Sequence, residues 1–392
     1  MGGRRVYLDH AATSPMRPEA IEAMVPFLGG EFGNPSGSHA EARRARLAVD
    51  DARETIATLL GCDLGELVFT SGGTEADNLA VTGGWEAQDD GHGRHGRGAP
   101  GALVCSGIEH HAVLETCRAL ARRTGAELRE VGADKDGVID LDGLADACTD
   151  QVRLVSVMAV NNETGVIQPL HAAAEVIRRR SPDAVLHTDA VQAAPWLDVP
   201  VTCGDADLVA VSAHKVGGPK GVGALVVRDG TEVRPVLYGG GQERERRSGT
   251  HNVAGIVAMA AALAATAAER DETVARVRAL RDRLGDGLLR TVPGATETGL
   301  RSDRVAGLLH LRVAGVEGEA LVVLLDQAGV ATSAGAACAS GAVEVSHVLS
   351  AMGLDPSEAA SGIRFSLGPT TTEADIDRAL AVVPAAVAQL RD

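Results

Sequence analysis

Short apolar runs alternate with longer amphipathic stretches along most of the chain. The runs "ELVFTS", "GALVCS", "RLVSVMAV", "AVLHTDA" and "DLVAVSA" are rich in Val, Leu and Ala and bounded by Gly, Ser or Asp, as strands buried on both faces are. Helix-length segments separate them, so the pattern predicts an α/β fold around a largely parallel sheet. "SHAEARRARLAVDDARETIATLLG" predicts a surface helix that opens on a capping box of Ser38 and Glu41 and stops at Gly61. From about Val253, "AGIVAMAAALAATAAERDETVARVRALRDRL" predicts a long helix or a bent pair. The change of composition there marks a hinge. Beyond it, strand, helix, the segment around Cys338 and "SGIRFSLGPTTTEADIDRAL" predict a smaller α+β unit. Residues 91–96 spell G-x-G-x-x-G, but they follow acidic "QDD" rather than a strand and open no helix. They read as an exposed loop, not a dinucleotide site.

Composition narrows the picture. A chain of 392 residues is long enough for two globular units with ample cores. Its hydrophobic fraction is 45% with only 2% aromatics, so small and branched aliphatics must pack those cores. Thirty-seven Lys and Arg stand against fifty-three Asp and Glu, a formal charge of -16, which disfavours nucleic acid and anionic lipid as partners. No apolar run is expected to span a membrane, and "MGGRR" passes into "VYLDHAATSP" without a signal-peptide core, so the expectation is a cytoplasmic protein. Cys62, Cys105, Cys117, Cys148, Cys203 and Cys338 form no C-x-x-C pair. Neither a zinc site nor a disulfide framework is expected, and most of these thiols should be buried and reduced.

Three segments carry chemistry. In "DLVAVSAHKVGGPKGVG" an apolar strand delivers Ser212, His214 and Lys215 into a glycine-rich bend, where open α/β sheets bind ligands. A partly desolvated Lys215 amine there is a nucleophile for a carbonyl; taken alone, a solvated loop lysine explains it as well. In "VLHTDAVQ" a strand ends in Asp189 and Gln192, either a helix cap or the carboxylate that a protonated pyridine nitrogen needs. "ELVFTSGGTEADNLAV" runs strand, glycine turn, helix start, with Thr74 at a helix N-terminus suited to phosphate. Together, in the order Thr74, Asp189, Lys215, they point to pyridoxal phosphate.

The chain is similar to the cysteine desulfurases of the class V aminotransferase-like, fold-type I pyridoxal phosphate enzymes. The resemblance runs almost end to end, through "YLDHAATSP", "FGNPSGSH", "TSGGTEADN", "EHHAV", "NNETG", "HTDAVQ", "SAHKVGGPKGVGAL", "RRSGTHN", "AGAAC" and "IRFSLG". It implies a mainly parallel seven-stranded sheet in a large domain, residues 16–258, and a smaller α+β domain of residues 1–15 and 259–392 with the cysteine loop at about 331–345. It further implies that Lys215 links to the cofactor, that Asp189 pairs with its pyridine nitrogen, and that Gln192 and Asn162 contact its phenolic oxygen. His110 would stack on the ring and transfer protons, although adjacent His111 leaves open which ring faces it. Gly73, Thr74, Ser212 and His214 would hold the phosphate, Thr250 would reach the phosphate of a partner subunit in a homodimer, and Asn34 and Arg364 would bind the substrate carboxylate.

For such a relative the expected reaction removes sulfur from L-cysteine, giving L-alanine and a persulfide on Cys338. Sulfur then passes to an acceptor protein, an iron-sulfur scaffold or a tRNA-thiolation partner. The small residues of "ATSAGAACASG" suit a thiol that must visit the cofactor and then leave it. Relatives usually carry serines where this chain has Ala334 and Ala336, which bears on rate and acceptor preference. The alternatives are a selenocysteine lyase, another class V aminotransferase-like enzyme, and a non-enzymatic sulfur carrier, against which Lys215 and Asp189 speak.

Overall fold

The computed structural model describes residues 5–89, 101–335 and 345–392. Among these residues twelve strands are formed: β1 (Val6–Tyr7), β2 (Leu67–Thr70), β3 (Ala102–Ser106), β4 (Glu127–Val131), β5 (Val152–Ser156), β6 (Val185–Asp189), β7 (Leu208–Ser212), β8 (Gly223–Val227), β9 (Ala295–Glu297), β10 (Leu308–Val313), β11 (Val330–Ala331) and β12 (Gly362–Ser366). The seven-stranded sheet has the order β2-β8-β7-β6-β5-β3-β4. All its pairings are parallel except the two made by β8. Because β8 is antiparallel to both neighbours, β2 runs the same way as β7. The loops that follow β2, β3, β5, β6 and β7 therefore open along one edge, where ligands of such sheets sit.

The continuous apolar runs are buried throughout in β3, β5, β6, β7 and β8. Edge strand β4, sequence ELREV, is exposed at Glu127 and Glu130, and such charges discourage pairing with another chain. Helices cover both faces. The amphipathic helix Ala40–Leu60 buries Val49, Ile56 and Leu60. His39, not Ser38, caps it: the His39 ring accepts the Ala42 N–H at 3.3 Å. His39 is the last extended residue, so Glu41 lies too near the start to close a box with Ser38 and meets His39 instead at 3.0 Å. The helix ends as expected at Gly61, in the left-handed conformation (φ 61°).

The alanine-rich segment forms one helix, Val253–Thr291, its first turn capped by the Asn252 side chain on the Gly255 N–H. By length and composition alone it could cross a membrane, which the sequence reading did not expect, but 56% of its apolar window is buried inside the fold, as in a core helix. It lies against the helices Ala40–Leu60 and Glu373–Arg391. A second sheet, β12-β10-β9, is antiparallel, and β1 pairs in parallel with β11. Isolated bridges continue this small assembly, Asp9 to Ser366 and Ser333 to Arg364. The N-terminal segment is thus threaded between the chain that leads to residue 335 and strand β12. Cys62 is half-buried, Cys105, Cys117, Cys148 and Cys203 are buried, and none of these five is in a disulfide.

Candidate active site

Five strand ends build the site. β7 continues into a single 3-10 turn, Ala213–Lys215, which swings Lys215 across the sheet edge onto the N-terminal segment. There the Lys215 ammonium donates to the carbonyls of Ala11 (2.5 Å) and Ala12 (3.0 Å). Burial pushes its pKa down to about 8, helped by the Arg364 charge and opposed by Asp189 and Asp9. An amine so poised loses its proton far more readily than a surface lysine, as a carbonyl nucleophile must.

Asp189 ends β6 and is buried. Burial raises its pKa, while the Val191 N–H on Oδ1 (2.8 Å) and the Lys215 charge pull the other way. A carboxylate in this position is short of a cationic partner. Gln192 follows on the next turn and donates to the Ala11 carbonyl at 2.9 Å. Polar atoms of Asp77, His110 and Asp189 lie within 4.8 Å of one another. Asp77 is buried in the helix Gly73–Asn78, with its own pKa driven well up by burial and by Asp189 and Glu109. Two adjacent carboxyls in a dry pocket cannot both ionise cheaply.

The two histidines of "EHHAV" divide. His110 is the N-cap of the helix His111–Thr124, its Nδ1 accepting the Ala112 N–H at 3.1 Å. Its ring is open to the cleft, yet the surrounding protein, with Lys215 and His111, lowers its pKa to about 4, so it is neutral near pH 7. His111 turns away to pack on the His347 ring, with centroids 4.4 Å apart.

After β2, Gly72 has φ 150° and Gly73 starts the short helix bearing Thr74. A side chain at Gly73 would run into Val191, at 2.8 Å from its Cβ position. The same wall holds Ser212, buried with its Oγ lacking any hydrogen-bond partner among the described residues. A buried orphan hydroxyl facing a glycine turn fits a bound anion. His214 stands nearby on Thr13, its Nδ1 3.2 Å from Oγ1, with a pKa lowered to about 4 by burial and Lys215. These residues, with the Lys215 amine and the Asp189 carboxylate, match the three functional parts of pyridoxal 5'-phosphate: phosphate, aldehyde and pyridine nitrogen.

Arg364 enters from β12. Its guanidinium donates to the Asn162 carbonyl (2.8 Å) and Asp9 Oδ1 (3.0 Å), leaving Nε buried without a partner among the described residues. The side-chain Oδ1 of Asn162 is also unpartnered. Arg364 and Ser333 exchange backbone hydrogen bonds, so the chain leading to the cysteine segment starts beside the guanidinium. Cys338 itself lies outside the described residues, as do Ala336 and the G-x-G-x-x-G stretch.

Two candidates are not drawn into this cluster. Asn34 is exposed, its Oδ1 accepting the Ser36 N–H at 3.0 Å in a turn. Thr250 is exposed on the loop before the long helix. Conversely, Asp9, Asp77 and Glu163 were given no role from sequence. Glu163, buried in "NNETG", accepts the Ser346 hydroxyl at 2.6 Å and so ties the far end of the cysteine segment to the same wall. The signal for Asp9 was its place in "YLDHAATSP", a polar residue directly after a buried strand.

Fold and site together define a pyridoxal phosphate enzyme, and the chain belongs to the Aminotransferase class-V family, whose profile matches residues 6–379. Within that family it groups with the cysteine desulfurases. It is 41% identical to "Cysteine desulfurase IscS" of Dictyoglomus turgidum over 99% of this chain and 96% of that protein. It is 42% identical to the "IscS-like cysteine desulfurase" of Mycobacterium tuberculosis, over 98% and 97%. Among solved structures, a "NIFS-LIKE PROTEIN" superposes with a TM-score of 0.90 at 33% identity, covering 98% of this chain and all of that one. The family's cofactor is pyridoxal 5'-phosphate.

Proposed function

We propose that the chain is a pyridoxal phosphate-dependent cysteine desulfurase in which Cys338 receives sulfur from L-cysteine and passes it to an acceptor protein. The observation that carries this reading is the joint placement of a low-pKa lysine, a buried carboxylate and an orphan hydroxyl at one sheet edge, with Arg364 beside the chain leading to Cys338. The alternative of a non-enzymatic carrier has no use for that edge.

When bound, the cofactor withdraws electrons from the substrate α-carbon and so loosens its proton. The remaining work falls to the chain. Gly73, Thr74, Ser212 and His214 would hold the phosphate, and Asp189 would supply the negative charge that the pyridine nitrogen needs. Asn162 and Gln192 would border the phenolic oxygen. Lys215 is a base of suitable pKa for moving the α-proton, and neutral His110 would accept or return a proton in the same cleft. Arg364 binds the substrate carboxylate through its fork. The Cys338 thiolate then attacks the substrate sulfur: an S–S bond forms, the C–S bond breaks, and its electron pair and a proton complete alanine. Cysteine plus thiol gives alanine plus persulfide, so no outside oxidant or reductant is required.

Arg364→Lys keeps the charge and loses the fork. It is expected to raise KM for L-cysteine about tenfold or more, leaving the cofactor's absorbance spectrum unchanged. An unchanged KM would remove Arg364 from substrate binding. Release of alanine from L-cysteine by purified holoenzyme tests the activity itself; alanine formed equally well by Cys338→Ala would favour the selenocysteine lyase-like alternative, in which the substrate sulfur leaves without a cysteine nucleophile.

A homodimer is the proposed assembly. Ile21, Val25, Leu28 and Phe32 leave large apolar side chains in solvent, Phe32 at 75% exposure, and Leu237 and Tyr238 do the same on the loop before Thr250. Surface of that kind asks for a partner. In a dimer the exposed Thr250 can serve the phosphate of the other chain. Iron-sulfur assembly and tRNA thiolation are the proposed destinations of the sulfur, and the division into 16–258 against 1–15 with 259–392 is the proposed domain boundary, supported by the pairing of β1 with β11.

A further inference from the structure

The loop that carries Thr250 is held in a costly conformation. Glu243, Arg244 and Glu245 are three successive non-glycine residues at positive φ, 50°, 56° and 66°, where each Cβ crowds the following carbonyl. Such a run persists only where its surroundings over-determine it. Here they converge on Glu243, whose buried carboxylate accepts from the Phe69 N–H (2.8 Å) and the Arg53 guanidinium (2.5 Å) and meets His251 Nε2 at 2.6 Å. Burial acts to raise its pKa, and His251 and Arg53 more than offset that, so Glu243 stays ionised.

A second clamp lies a few residues on. Arg247 grips Glu75 with Nε on Oε1 (2.6 Å) and Nη2 on Oε2 (3.1 Å), and Glu75 Oε2 also accepts the Ser71 N–H at 2.7 Å. Phe69 and Glu75 flank the turn Ser71–Thr74 on either side. Both clamps therefore end on the frame of this chain's own phosphate turn, while the residues they support run from half-buried Ser248 to exposed Gly249, with φ 122°, and exposed Thr250.

We propose that Glu243, together with the Arg247–Glu75 pair, is a positioning device that uses one chain's phosphate turn as the footing for the loop completing a second copy's phosphate site. The inference rests on the homodimeric reading above. Glu243 touches neither substrate nor cofactor; it acts through the backbone at 243–251. Loss of Glu243 therefore harms the partner's site more than its own.

Mixed dimers test this, assembled from differently tagged chains and purified on both tags. Glu243→Ala homodimers are expected to remain folded by circular dichroism and to need about tenfold more pyridoxal phosphate for half-saturation, as loss of a hydrogen bond to a charged group implies. Glu243→Gln is expected to fall between that and wild type. In a dimer of a Glu243→Ala chain with a Lys215→Ala chain, borohydride can fix cofactor only on the first, whose loop now comes from an intact neighbour. Half-saturation there should return to the wild-type value. A mixed dimer as weak as the Glu243→Ala homodimer, or a homodimer with wild-type half-saturation, overturns the inference while leaving the dimer standing. A wild-type chain that sediments as a monomer and still saturates normally overturns the homodimeric reading itself. If the alanine variant does not fold, Glu243→Gln carries the same comparison.

Discussion

Lys215→Ala is expected to abolish borohydride-reducible attachment of the cofactor and to lower alanine formation from L-cysteine about 10²- to 10⁴-fold, the range that removal of a positioned proton-transfer group produces. Lys215→Arg should do the same, because a guanidinium keeps the charge and offers no nucleophile. The amine's pKa supplies a second expectation with a definite sign. Attack on an aldehyde needs the neutral amine, and burial has lowered the pKa to about 8 from an ordinary value of 10.5. The rate of covalent capture by cofactor-free protein should rise with pH through a midpoint near 8. A midpoint at the ordinary value would mean that the desolvation seen around Lys215 does not operate.

Cys338→Ala is expected to leave the cofactor spectrum and its half-saturation unchanged while alanine release falls at least about 100-fold, because the substrate sulfur then lacks its nucleophile. The contrast between the two variants is the informative part. Lys215 is needed for the cofactor and the reaction, whereas Cys338 is needed only after the cofactor is in place. A Cys338→Ala protein that lost the cofactor as well would point to a folding defect.

Much of this was legible along the chain because it is local. The buried strands announce themselves by short continuous apolar runs, and Lys215, Asp189 and Thr74 each stand at the end of one or within four residues after it, so the sheet carries them to a common edge without further information. Roles for Asn162, Gln192, His214 and Arg364 came from family likeness, since nothing in their neighbourhood distinguishes a ligand from a loop residue. What sequence reading could not supply depends on contacts between distant parts. Arg364 meets Asp9 across 355 residues, and Asp77 becomes unusual only when the fold buries it beside Asp189. The choice of His39 over Ser38 as a cap turns on a single backbone angle. His110 and His111 are indistinguishable as letters; the helix that starts between them sends one to the cleft and the other to His347. The alanine-rich helix shows the reverse, a composition that satisfies a membrane criterion while its packing is that of a core.

The central claim is that sulfur leaves L-cysteine by way of Cys338. It is tested most directly by incubating the holoenzyme with L-cysteine and no reductant, then measuring the mass of the Cys338 peptide beside the alanine released. One added sulfur on Cys338, in step with one alanine per site in the first turnover and absent from the other five cysteines, is the result expected. Alanine released with Cys338 unmodified, or added sulfur on another cysteine instead, would contradict it.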